Sequence, residues 1–269
     1  MKTLHDQREP LPELLKSLYL KAFATHYQQL AEQFEATNPG KTHVDYLHEL
    51  ALMECERRAN ERMENLLKAA KLPRNKLLAD FEINRIAGLS NALICRLATG
   101  EFMDNCENIL IFGNPGTGKT HLSIALAREW CAHGRKVLFT TASKLVQELN
   151  VAGAALRLHN FIKRLDRFEC LIIDDISYIP LQRNDTDVLF QLLAERYEQR
   201  SLVITSNLPF AKWGTVFKDE MTTAAAIDRL VHHAEIIEMN AESYRIKKAA
   251  ANRSKNTTQS TTLKMEADV

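Results

Sequence analysis

Gly113, Asn114, Pro115, Gly116, Thr117, Gly118, Lys119 and Thr120 form one uninterrupted run, with His121 directly after it. Glycines, a lysine and a hydroxyl at this spacing suit a polyphosphate. Glycine lets the backbone wrap an anion without Cβ clashes, and successive N–H groups at the start of a helix face its negative charge. Lys119 would neutralise the β- and γ-phosphates of a triphosphate, and the Thr120 hydroxyl would ligate Mg²⁺. Residues 113–121 are therefore assigned to ATP. The bland alternative is a glycine-rich turn without a ligand, and the flanking apolar strand and helix argue against it.

A second group of residues completes this chemistry. Leu171-Ile172-Ile173 is an apolar run that ends in Asp174 and Asp175. The first carboxylate would stand beside the Mg²⁺ and the second would orient or deprotonate an attacking water. Such a run is common by chance alone; it gains weight from following a full phosphate loop. Asn207 closes the run Ile204-Thr205-Ser206, where it would touch the γ-phosphate or hold the water, or would simply form the turn before Leu208-Pro209. Arg229 either pairs with a nearby acid or acts in trans on a neighbouring subunit's ATP. His232 and His233 are adjacent, and neighbouring helical positions point apart with no carboxylate spacing to complete a metal site, so they read as structural or surface groups.

These residues need a sheet to bring them together. Apolar runs at Asn108 to Phe112, Val137 to Thr141, Cys170 to Ile173, Leu202 to Thr205 and Ala234 to Met239 alternate with helical patterns. The helices fall at Lys119 to Ala132 with Gly134 as stop, after Ser143 as cap, at Asp187 to Gln199 and at Thr223 to Val231. Strands separated by helices require crossovers, which predicts an α/β fold with a largely parallel five-stranded sheet and helices on both faces. Residues 108–250 form this core and 76–107 a connector with a helix near Leu89 to Thr99. Residues 1–75 read as a small all-α domain with one helix from Pro12 to Phe34, a break at Asn38-Pro39-Gly40, and a second helix from Thr42 towards Lys71, capped through Asp45. On that second helix Arg57, Arg58, Arg62 and Lys68 alternate with Glu54, Glu56, Glu61 and Glu64, a solvated salt-bridged face first and a DNA or partner surface second. Residues 251–269 read as a disordered tail, since Asn252 to Ser260 carries no large apolar group.

The chain has 269 residues, 45% hydrophobic, with a net charge of only +1, so total charge points to no polyanionic partner. Its distribution is more informative. Between Arg135 and Phe168 seven basic residues face two acidic ones, and Lys144, Arg157, Lys163 and Arg164 are the candidate phosphate contacts of a DNA surface. Five cysteines without CxxC spacing suggest neither disulfides nor a zinc site, with Cys95, Cys131 and Cys170 read as buried small hydrophobes. No signal peptide or membrane span is evident, which places the chain in the cytoplasm.

The segments GNPGTGKTHLSIAL, LIIDDISY, ITSN and AIDRLVHHAEIIEMNAESYR together resemble the IstB/DnaC-like AAA+ ATPases, most closely the IstB helpers of insertion sequences. The resemblance implies a P-loop (AAA+) core behind an N-terminal helical domain, and ATP-dependent self-assembly on double-stranded DNA. It also implies recruitment or stimulation of a partner, an IstA-like transposase. It makes Asn207 a sensor residue and Arg229 an arginine finger, and it implies an extra DNA-tracking helix at Ala154 to Leu165. Two departures stand out: Asp175 where many relatives carry Glu, and no room after Arg245 for a helical lid. A helicase loader of the same fold is the alternative function. A small-molecule P-loop kinase is a third, but it would require an acceptor pocket and lid that the sequence does not show.

Overall fold

The computed structural model describes residues 10–37, 42–73, 75–86, 88–176, 183–209, 212–213 and 220–240. The chain divides into two compact units, Met1–Asn65 and Leu66–Val269. The break expected at Asn38-Pro39-Gly40, together with Arg245 and the tail, lies outside the described residues.

In the first unit the helix expected from Pro12 to Phe34 is two helices, α1 (Leu11–Ser17) and α2 (Lys21–Thr37). Tyr19 takes a left-handed φ of 57°, and the N–H groups of Tyr19 and Leu20 fold back onto the carbonyls of Lys16 and Leu15. That pairing closes α1 in a Schellman motif, which apolar spacing does not reveal when the residue in the left-handed position is not glycine. Helix α3 (His43–Ala70) starts behind Thr42, whose N–H and hydroxyl both donate to the Asp45 carboxylate.

Glu54 corrects the picture of a solvated face on α3. It is 4% exposed, accepts the Ala22 N–H at 2.8 Å near the start of α2, and is bridged by Arg57 at 2.6 Å and Arg58 at 2.7 Å. Arg57, then the Ala22 N–H and Arg58, outweigh burial and hold its carboxyl at about 2. A carboxyl depressed in the fold adds stability above its ordinary pKa and loses it as pH falls through the folded value. Glu54→Gln should therefore lower the melting temperature most above about pH 4.5, with the difference from wild type shrinking towards pH 2. Melts followed by helical circular dichroism across that range test this; a difference independent of pH would remove the buried carboxylate from the account.

The second unit is built on strands β1 (Asn108–Gly113), β2 (Val137–Thr141), β3 (Cys170–Asp174), β4 (Ser201–Ser206) and β5 (Ala234–Met239). They form one sheet in the order β2-β3-β4-β1-β5, every pairing parallel. The intervening helices are α4 (Asn91–Thr99), α5 (Lys119–Ala132), α6 (Ala142–Ala154), α7 (Leu158–Leu165), α8 (Arg183–Arg196) and α9 (Glu220–Val231). The central strands alternate between two apolar layers. Leu110, Phe112, Leu171, Ile173, Leu202 and Ile204 face the layer shared with α6, α7, α8 and α9. Ile109, Ile111, Cys170, Ile172 and Val203 face the layer shared with α4 and α5. Burial on both faces explains why these strands read as continuous apolar runs. In the second layer Trp130 is fully buried, packs against Phe102 with ring centres 5.1 Å apart and planes tilted by 59°, and donates its indole N–H to Leu97 O at 2.7 Å.

Local details differ from expectation. Helix α6 is capped by Thr141, whose side chain accepts the Lys144 N–H, and Ser143 lies inside the helix. The extra helix begins at Leu158, because Leu156 takes a left-handed φ of 54° and separates it from α6. Cys131 and Cys170 are buried and their thiols are pushed up to about 11 and about 12 by desolvation. Cys95 is exposed instead, since α4 turns Ile94 and Leu97 inward. All five cysteines are free. No helix among the described residues is long and apolar enough to cross a membrane.

Candidate nucleotide site

Parallel register brings the polar strand ends to one edge. Phe112 pairs with Ser206 and Ile173 with Ile204, so Asp174 finishes level with Thr205, and Gly113 reaches the level of Asn207. At Gly113 a Cβ would stand 2.4 Å from the Met239 carbonyl oxygen, so only glycine permits this approach of β1 to β5. Gly118, at φ 107°, precedes α5, and no side chain caps that helix. The start of α5 is thus open to an anion.

Around the loop runs a connected polar network. Lys119, 7% exposed, directs its Nζ to Gly113 O at 2.7 Å, Asn114 O at 2.9 Å and Asn207 Oδ1 at 2.5 Å. Asn207 passes the connection on, donating from Nδ2 to Asp175 Oδ1 at 2.9 Å. Thr120 donates to Asp174 Oδ2 at 3.1 Å, and Thr205 donates to Asp174 Oδ1 at 2.8 Å while accepting the Asp175 N–H at 2.8 Å. Asp175 itself takes a left-handed φ of 63°. A hydroxyl and a carboxylate as neighbouring hard oxygen donors are a set that suits Mg²⁺.

Lys119, Thr120, Asp175, Thr205 and Asn207 of this network line a cavity of about 620 Å³ together with Pro115, Gly116, Thr117, Gly118 and His121, and Asp174 is joined to it through Thr120 and Thr205. Its opposite wall is the segment from Asn75 to Ile86, including Phe81 and Arg85. From residue 76 on this wall is the segment that reads as a connector; its two short 3₁₀ turns have no periodicity that would mark it. His121 holds the wall in place. Its Nε2 lies 2.9 Å from Leu77 O and its ring is tilted against Phe81 at 5.5 Å. Thr205 is the other residue missed, and the signal was a hydroxyl one step before a polar strand end.

The remaining candidates lie elsewhere. Arg229 is half-buried, with its guanidinium 4.8 Å from the Phe190 ring centre, and does not line the cavity. Its Nη1 is buried without a hydrogen-bond partner among the described residues. Lys144, Arg157 and Arg164 line a separate concavity of about 760 Å³ between α6 and α7. Arg164 rests against Phe161 at 5.2 Å, and Lys163 is exposed on the same helix.

Parallel sheet, glycine-rich loop and strand-end acids define an α/β protein of the P-loop type. More narrowly, residues 13–252 match the family model of the IstB-like ATP binding proteins, and the chain belongs to that family. It is 41% identical over 252 residues to an insertion sequence ATP-binding protein of Sinorhizobium fredii, covering 93% of this chain and 84% of that protein. It is 35% identical to the ATP-binding protein of insertion sequence IS21 from Pseudomonas aeruginosa, covering 92% and 94% respectively. Among solved structures, a DnaC helicase loader superposes with a TM-score of 0.53 at 17% identity, over 62% of this chain and 97% of that one.

Thr205 gives a direct test of the network. Thr205→Val removes the donor to Asp174 and the acceptor for the Asp175 N–H inside a buried site, with an expected loss of about 1–3 kcal/mol. Urea denaturation measures it, and unchanged stability would mean that the hydroxyl does not hold the two acids.

Proposed function

We propose that the chain binds and hydrolyses Mg·ATP, and that ATP binding drives its self-assembly on double-stranded DNA, where it recruits or stimulates a transposase. The observation that carries the nucleotide part is the continuous network from Lys119 through Asn207 to Asp175, beside an uncapped helix start. Triphosphate would displace the loop carbonyls now held by Lys119 and take its charge instead. Thr120 and Asp174 would hold Mg²⁺, which neutralises phosphate charge when bound. Asp175 would accept the proton of a water that Asn207 helps to position, and Phe81 and Ile86 would offer an apolar wall to the base.

Arg229 has no partner in the cavity of its own chain, and its buried unpaired nitrogen supports a role on the ATP of a neighbouring copy. The DNA part rests on the three cations that converge between α6 and α7, with Lys163 exposed beside them. The transposase part rests on the relatives, which are named for insertion sequences. They favour this partner over a helicase, because the likeness to the loader at 17% identity concerns the fold. The setting we propose is cytoplasmic.

Two variants separate binding of ATP from its turnover. Lys119→Ala should weaken Mg·ATP at least about tenfold in calorimetry, since a charge-assisted contact is lost. Asp175→Asn should bind ATP as wild type does while phosphate release slows at least about 100-fold. Unchanged affinity in the first, or unchanged turnover in the second, would overturn the assigned role.

The DNA surface is tested by salt. Replacing Lys163 and Arg164 by Ala should weaken duplex binding and reduce the slope of log affinity against log salt by up to about 2, one unit for each phosphate contact. Fluorescence anisotropy at several salt concentrations measures both. Equal affinity with an equal slope would show that DNA lies elsewhere.

A further inference from the structure

His232 and His233 do not occupy neighbouring helical positions. Helix α9 ends at Val231 and β5 begins at Ala234, so both histidines lie in the turn between them. There the two rings converge, with centres 4.0 Å apart and planes at 54°. A carboxylate that sequence spacing did not suggest reaches the same point. Glu198 sits in the turn between α8 and β4, at a left-handed φ of 55°, and its Oε1 lies 3.9 Å from His232 Nδ1 and 3.8 Å from His233 Nε2. All three donor atoms fall within 4.8 Å of one another. The Tyr197 hydroxyl lies 2.9 Å from His232 Nδ1, a hydrogen bond that a metal ion on that nitrogen would replace.

We propose that Glu198, His232 and His233 form a binding site for a borderline divalent metal ion of the zinc class. Two neutral imidazoles and one carboxylate are a recognised three-ligand set for such an ion, leaving a fourth position to water. Bonds of about 2.0–2.1 Å in tetrahedral geometry place donor atoms roughly 3.3 Å apart. The three side chains are about half exposed; reaching that spacing brings the Glu198 oxygen about half an ångström closer to each imidazole nitrogen and the two nitrogens, within 4.8 Å of each other, closer by up to about 1.5 Å. A competing reading is an ion pair between Glu198 and protonated imidazoles. Two imidazolium rings at 4.0 Å would repel, whereas one ion shared by two neutral rings does not.

The site is separate from the nucleotide cavity. Glu198 precedes the start of β4 and His233 precedes the start of β5, at the edge of the sheet opposite Asp174 and Thr205. An ion there would tie the end of α8 to the end of α9. Arg229 lies three residues before His232 on α9, and its guanidinium packs on Phe190 of α8. The metal would therefore fix the two helices that hold this arginine.

The test is titration of the chelator-stripped full chain with Zn²⁺ by calorimetry, without nucleotide or DNA, so that its result is independent of the ATPase and DNA readings. One equivalent should bind, and His233→Ala and Glu198→Gln should each weaken it at least about 100-fold. All three positions are exposed, and far-ultraviolet circular dichroism verifies that the variants remain folded. Exposed Cys55 and Cys95 could also take zinc, so the same titration is run with Co²⁺, whose spectrum distinguishes thiolate from nitrogen and oxygen ligands. Absence of binding, equal binding by wild type and His233→Ala, or a thiolate spectrum would each overturn the site.

Discussion

Two aspartates in succession at the end of a buried apolar strand repel each other and compete for the same few donors. The Thr205 hydroxyl resolves that conflict. It donates to Asp174 and accepts the N–H of Asp175, so one side chain fixes the first carboxylate and the backbone of the second. Asp175 takes a left-handed conformation and turns towards Asn207, while Asp174 stays level with Thr120. The two acids are thereby given different neighbours, a hydroxyl for one and an amide for the other. Different neighbours are what allow adjacent, chemically identical groups to take different roles. A one-residue slip of β4 against β3 would put Ile204 or Ser206 at the place of Thr205 and turn the alternation inside out.

Register is in turn held by burial on both faces. Each central strand gives alternate side chains to the two apolar layers, so a slip would exchange the layers along the whole strand. Full burial of a large apolar side chain contributes about 1.5–3 kcal/mol, and the strands supply several each. The polar network at the strand ends is therefore positioned by apolar residues that never touch it. Its geometry is a consequence of where Leu171, Ile173, Leu202 and Ile204 must point.

How far this was legible in the sequence follows from the same division. Lys119 and Thr120 stand out because a phosphate loop fixes residue types at fixed offsets, Asp174 stands out because it ends an apolar run, and the apolar runs of β1, β3 and β5 match the strands almost to the residue. Helix α5 and its stop at Gly134 were equally plain. What escaped notice depends on contacts between distant segments or on backbone that carries no periodicity. Tyr19 ends α1 in a conformation that favours glycine, so nothing in its type announces the break. Glu54 looks like any helical glutamate until Ala22 and two arginines close around it. The wall from Asn75 to Ile86 is irregular, and the carboxylate beside His232 and His233 comes from more than thirty residues away.

One buried cation joins the basic helix α7 to the sheet. Arg196, fully enclosed, donates to Leu165 O, Phe168 O and Ser201 O, each at 3.1 Å, with Asp166 at 3.4 Å. Desolvation pushes its pKa down to about 10, which still leaves it charged at neutral pH. Carbonyl dipoles from the end of α7 and the start of β4 thus converge on one guanidinium, whose planar fork suits several acceptors at once. Helix α7 carries Lys163 and Arg164, and β4 ends at Ser206, beside Thr205 and Asn207. Moving α7 alone would strip this buried charge of its acceptors at a cost of several kcal/mol, so α7 is held to the start of β4.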